Sequence, residues 1–142
     1  MGFSVSAAAA IIGVAILLSV ELMVADVIPT ITETHDSYEE MKERSIDQIQ
    51  TDIKITNVLT TNNASNYDHN FTVENTGSTS LETANFQILI NGVAQSFICT
   101  KSYLHPENIV YFNVTNQLGA GNKRVKIVTD NGISDYYDYT II

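Results

Sequence analysis

The groups in this 142-residue chain with chemistry to offer are three histidines, one cysteine and sixteen carboxylates. Their spacing does not converge on a reaction. His35, His69 and His105 are scattered along the chain without the intervals at which side chains share a metal. Asp68-His69 and His105-Pro106-Glu107 each set a carboxylate beside an imidazole, the pairing a general base uses. Neither pair has a nucleophile at a motif distance, and exposed loop positions account for both. Asp130 and Asp138 form no calcium loop. Gly-x-Ser-x-Gly, a phosphate loop and a Cys/His pair are all missing from the sequence. Cys99 has no second cysteine to bond and reads as a small apolar residue buried in a strand. The expectation is a protein that is not an enzyme, with no catalytic residue, no cofactor and no metal.

Two other sets of residues suggest contact rather than catalysis. Asp135-Tyr-Tyr-Asp-Tyr139 puts Tyr137 and Tyr139 on one face of a strand and Tyr136 on the other. Packing at the core or rim and a protein-contact patch both fit these tyrosines, since Tyr is enriched in interface cores. The sequence Asn-x-Ser/Thr occurs at Asn63, Asn70 and Asn113, none with Pro between. It marks N-glycosylation acceptors only on an exported chain.

The elements that must carry these residues fall into three segments and an α+β class. From Thr51 onward the pattern is β. Strands are expected at Thr51 to Leu59, His69 to Glu74, Ala84 to Ile90, Val93 to Cys99, Ile109 to Thr115, Arg124 to Thr129 and Ile133 to Ile142. Asn91-Gly92 and Asp130-Asn131-Gly132 supply turns. About seven short strands with turns between them predict an immunoglobulin-like all-β sandwich over 51–142.

Ahead of it, Gly2 to Val20 holds no charged residue. As a helix this run covers about 28 Å, close to the roughly 30 Å bilayer core, with Glu21 at the far interface. A secretion signal would carry a basic n-region and a shorter apolar run, so residues 1–28 are expected to stay as a transmembrane helix in contact with lipid. Ala7 to Ala10 with Gly13 offer a small-residue surface for close helix approach, and hence a route to a homo-oligomer. Residues 29–50 form an acidic helical connector. Pro29 should stop or kink the helix near Ile28, with restarts at the capping boxes Thr30–Glu33 or Ser37–Glu40. If nearly continuous, residues 2–50 would make a rod of about 70 Å, leaving on the order of 40 Å of stalk beyond the bilayer. Net charge is −9, and the nearest thing to a basic cluster is Lys123, Arg124 and Lys126, which excludes nucleic acid as a partner.

The start Met-Gly-Phe-Ser-x-Ser-x-Ala-x-Ala-Ile-Ile, followed by one apolar helix, an acidic connector and one β domain, resembles the archaellum accessory protein F family. The stretch Phe71-Thr-Val-Glu-Asn-Thr-Gly-Ser-Thr-Ser-Leu81 is similar to that family's second-strand region, where a strand ends in Asn-Thr-Gly and resumes at a Leu. The resemblance implies a stator component of the archaeal motility motor, single-pass in the cytoplasmic membrane with its N-terminus inside. It implies a β-sandwich in the extracytoplasmic space that binds the surface-layer protein, with the similarly built accessory protein G as a second partner. It brings no catalytic residues. The rival is an archaellin or type IV pilin-like filament subunit, which shares an apolar helix and a β-sandwich. Such subunits are made with a charged leader, whereas Gly2 follows Met1 directly here.

Overall fold

The computed structural model describes residues 2–63 and 65–142. The chain divides into two compact units, Met1–Glu43 and Arg44–Ile142.

The first unit is helical. Helix α1 spans Gly2–Leu22, a π-turn occupies Met23–Val27, and helix α2 runs Ile28–Gln50, its last two turns belonging to the second unit. Pro29 does not stop the helix, which was one of the two outcomes expected of it. Proline lacks an N–H and its ring crowds the carbonyl four residues back. The chain widens one turn ahead of it, so that the Ile28 amide donates to the Met23 carbonyl instead. Thr30 and Ser37 are not caps either. Their hydroxyls donate back to the carbonyls of Asp26 (2.7 Å) and Glu33 (2.8 Å) within a continuing helix. Every described side chain of α1 is exposed, and all but Glu21 near its end are apolar or small. Its 21 residues span about 31 Å at 1.5 Å each, so the N-terminal helix is long and apolar enough to cross a membrane.

The second unit is the expected β-sandwich, and every strand pair in it is antiparallel. One sheet has the order β1 (Ile53–Asn63), β2 (Asn66–Asn75), β8 (Ile109–Gln117), β6 (Ile98–Cys99). The other runs β10 (Ser134–Ile141), β9 (Gly121–Val128), β4 (Gln87–Ile90), β5 (Val93–Gln95). A two-stranded ribbon joins β3 (Leu81–Glu82) to β7 (Tyr103–Leu104). Inward positions alternate along the strands and build one core from Phe71, Val73, Ile88, Val110, Phe112, Val125 and Ile127. Phe112 lies 5.2 Å from Phe86 and 5.1 Å from Phe97, ring centre to ring centre.

Two strands depart from expectation. The segment Ala84 to Ile90 opens with a 3-10 turn at Thr83–Asn85, and only Gln87–Ile90 is strand. Val93 to Cys99 is not one strand but two: β5 pairs with β4 in one sheet and β6 with β8 in the other. Phe97 sits at this crossing and packs into the core, so the sandwich is closed on that side by covalent chain. On the opposite side the free edge of β1 meets β10. The Ile55 amide, beside the bulge at Thr56, donates to Asp135 Oδ2 at 2.8 Å.

Candidate functional site

Within the second unit His69 and His105 do not meet. His35 lies exposed on α2. His105 stacks on Tyr103 and shares a hydrogen bond with the Ser80 hydroxyl at 2.9 Å. It sits beside Asn75 at one end of β2, since the Glu107 amide donates to the Asn75 carbonyl. His69 is six residues back along that strand, about 20 Å away. Among the described residues no three His, Cys, Asp or Glu side chains gather as metal ligands.

His69 is not the exposed loop residue expected from sequence. It points inward from β2 and is 1% exposed. Its ring lies 5.9 Å from Phe71 and edge-on to Tyr139 at 5.2 Å, which brings the two sheets together there. Nδ1 is 3.2 Å from Thr60 Oγ1 on β1. Nε2 and the Tyr139 hydroxyl are both buried without a hydrogen-bond partner among the described residues. Burial holds the His69 pKa below its ordinary value, Lys123 pushes it the same way, and Asp68 opposes. The Tyr139 phenol is pushed up to about 12 by burial alone. A neutral imidazole and a neutral phenol are what this setting holds. With Nε2 and the phenol oxygen both enclosed, the pair joins the two sheets across the core.

The tyrosine group divides as the strand period requires. Tyr137 and Tyr139 pack against the core, and Tyr136 faces out at 54% exposed. Lys126 Nζ stands 5.2 Å above the Tyr136 ring. Along the same outer face, Arg124 donates two hydrogen bonds to the carboxylate of Asp138, at 2.6 and 2.8 Å. That contact holds the Asp138 carboxyl below its ordinary pKa. The row Tyr136, Lys126, Leu89, Ala94 crosses this sheet in register. It makes an outward surface with an aromatic, an aliphatic and charges of both signs, which suits a protein contact.

The other sheet's outer face carries two of the three sequons. Asn70 on β2 and Asn113 on β8 are directly opposite each other. Asn113 is exposed, whereas Asn70 is half-buried with its Oδ1 enclosed and unpaired among the described residues. Asn63 is exposed at the end of β1, bonded to Asp68 at 3.3 Å. The middle residue of its sequon, Ala64, lies outside the described residues. Cys99 is half-buried in β6, with Sγ 3.2 Å from the Lys101 carbonyl.

Sequence reasoning passed over one constellation. The last turns of α2 are held by two loops of the sandwich. Gln48 Nε2 donates to the Asn131 carbonyl at 2.9 Å, and Asn131 Nδ2 donates to Thr51 Oγ1 at 2.5 Å. On the other flank the Ser78 amide donates to the Gln50 carbonyl at 2.8 Å, and the amides of Thr76 and Gly77 to Asp52, both at 3.0 Å. The Gln50 carbonyl is one of those a helix leaves unpaired where it ends, and Asp52 lies just beyond that end. Asn75, fully buried, shapes this loop by donating to Thr79 and Leu104 carbonyls and accepting from the Gly77 amide. The turn chemistry of Asn75-Thr-Gly77 and Asp130-Asn131-Gly132 was visible in the sequence. Its target, a helix end distant in the chain, was not. Compared with models of known protein families and with curated proteins, the chain matches none.

Proposed function

We propose that this chain is a non-enzymatic stator component of the archaellum machinery, of the accessory protein F type. The apolar helix anchors it in the cytoplasmic membrane with the N-terminus inside. The β-sandwich stands in the extracytoplasmic space and holds the surface-layer protein, with accessory protein G beside it. The observation that carries this reading is the joining, in one chain, of a bilayer-length exposed helix to a sandwich whose strand β2 ends at Asn75 before Thr76-Gly77 and whose next strand starts at Leu81. That is the feature on which the family resemblance rests. A stator must resist torque, and a helix end gripped by two loops suits load transfer better than a free linker would. The sequons support an outside location for the sandwich, and the outer face around Tyr136 is its best protein-contact surface.

The test is recovery of the partner. Tagged full-length chain, extracted under mild detergent from native envelope, should co-purify the surface-layer protein. Tyr136→Ser should lower that recovery while leaving the unfolding curve of the sandwich unchanged. Recovery of long filaments built of this chain alone would favour the filament-subunit reading instead.

A further inference from the structure

At one end of the outer face of the β10-β9-β4-β5 sheet lies a cleft of about 430 Å³, within the range of small-molecule sites. Its lining is polar: Asn91 from the turn after β4, Asn122, Lys123 and Arg124 from β9, Asp138 and Thr140 from β10. Several of these groups are already fixed. Asp138 stands opposite Arg124 across the strand pair, and Thr140 opposite Asn122. Arg124 spends two N–H groups on the Asp138 carboxylate, which leaves the rest of its donors to a ligand. The Thr140 hydroxyl donates to Asn122 Oδ1 at 2.8 Å, and the Arg124 amide donates to Asn91 Oδ1 at 2.9 Å. With both carbonyl oxygens taken, the two asparagines offer their Nδ2 donors. Groups held in place this way lose little freedom when a ligand binds.

We propose that this cleft binds an acidic saccharide, a sugar unit that carries a carboxylate beside its ring hydroxyls. Fixed N–H donors stand next to one carboxylate acceptor. Neighbouring sugar hydroxyls match that arrangement, because a hydroxyl can accept from the amides and donate to Asp138. An acidic peptide side chain or a phosphate would use the donors but would be repelled by Asp138. Charge then selects among sugars. Asp138 offsets Arg124, while Lys123 in the lining and Lys126 further along the face leave an excess of positive charge. Three of the chain's seven Lys and Arg residues stand on this one strand, in a chain of net charge −9. A carboxylate on the ligand complements that local excess. The cleft shares its sheet face with the contact surface around Tyr136. The proposal rests on the stator reading for its place outside the cell, and adds the chemical class that this end of the face recognises.

Binding to full-length chain in nanodiscs of zwitterionic lipid tests this. A hyaluronan hexasaccharide, which alternates glucuronate with N-acetylglucosamine, should bind, and the uncharged chitin hexasaccharide should bind about tenfold more weakly. Arg124→Gln and Asn122→Ala should each weaken hyaluronan binding about tenfold, and Lys54→Gln on β1 of the other sheet should leave it unchanged. All these positions are exposed, so an unchanged unfolding curve is expected of each variant. Asp138→Asn separates recognition from mere charge. It makes the cleft more positive yet removes the acceptor for sugar hydroxyls, so hyaluronan should bind it more weakly. Tighter binding by Asp138→Asn, or equal losses from Arg124→Gln and Lys54→Gln, would reduce the site to diffuse charge and overturn the proposal. Preference for a glutamate-rich peptide or for phosphatidylglycerol vesicles over the saccharide would overturn it too, as would no saccharide binding by folded chain. Because only purified chain and saccharide are used, such a failure leaves the co-purification of the surface-layer protein to stand or fall separately.

Discussion

Gly77→Ala is expected to cost the sandwich about 3 kcal/mol, at the upper end of what forced overpacking does. A methyl group at this position would fall on the Gln50 carbonyl oxygen and the Asp52 amide. Both are backbone, so no side chain can swing aside. The loop must retreat, and its retreat breaks the bonds from Thr76 and Gly77 to Asp52 and from Ser78 to Gln50. The end of α2 then loses its acceptor pairing on that flank. Set against the roughly 5–15 kcal/mol that separates most folded domains from unfolding, this is a large fraction. Chemical denaturation of the parent and the variant gives the difference directly. Gly92→Ala is a useful comparison, since a methyl there meets nothing and pays only for its left-handed backbone, φ 83°. A Gly77→Ala chain within about 0.5 kcal/mol of the parent, the ordinary range for neutral surface changes, would show that the loop does not grip the helix end.

The second large effect is a loss of stability in mild acid, governed by His69. Its folded pKa lies below the ordinary value of 6.5 because the ring is buried, with Lys123 acting in the same direction and Asp68 against. Above that value the imidazole is neutral in both states and contributes no pH dependence. As the pH falls below it, the unfolded chain takes up a proton that the folded chain refuses, so stability declines. The slope approaches about 1.4 kcal/mol per pH unit until the folded ring's own lower pKa is reached. His69→Phe keeps an aromatic against Phe71 and Tyr139 and removes the proton. The difference between the parent and variant curves should be flat above neutrality and should open in the variant's favour below about pH 6.5. Parallel curves throughout would mean that His69 takes its proton without leaving the core.

How much of this was legible in the sequence depends on whether its cause is local. The sandwich could be read because alternation is a two-residue pattern, and Asn91-Gly92 because both residues adopt the positive φ its turn requires, 50° and 83°. The apolar span of α1 could be read from composition alone. That Pro29 leaves the helix unbroken was not legible, because the backbone accommodates it one turn upstream, at Met23–Val27. Val93 to Cys99 reads as one strand because nothing in its seven residues records that Phe97 must turn into a core made by Phe86 and Phe112. His69 beside Asp68 looked polar and exposed. Only the strand's phase, fixed by Phe71 and Val73 on the same face, shows that it points inward. The split of Tyr136 from Tyr137 and Tyr139 followed from the same phase and was legible. Which face of the sandwich meets a partner is written in neither period nor propensity.

Swimming is the most direct measure of the central claim, that this chain holds the motility motor to the envelope and does no chemistry. In a motile archaeal cell from which the gene has been removed, archaellum filaments should still be found but should not propel the cell. Full-length chain should restore swimming, and an exported sandwich without the apolar helix should not, because torque then has no path to the membrane. Normal swimming in the deletion strain, or restoration by the unanchored sandwich, would contradict the account.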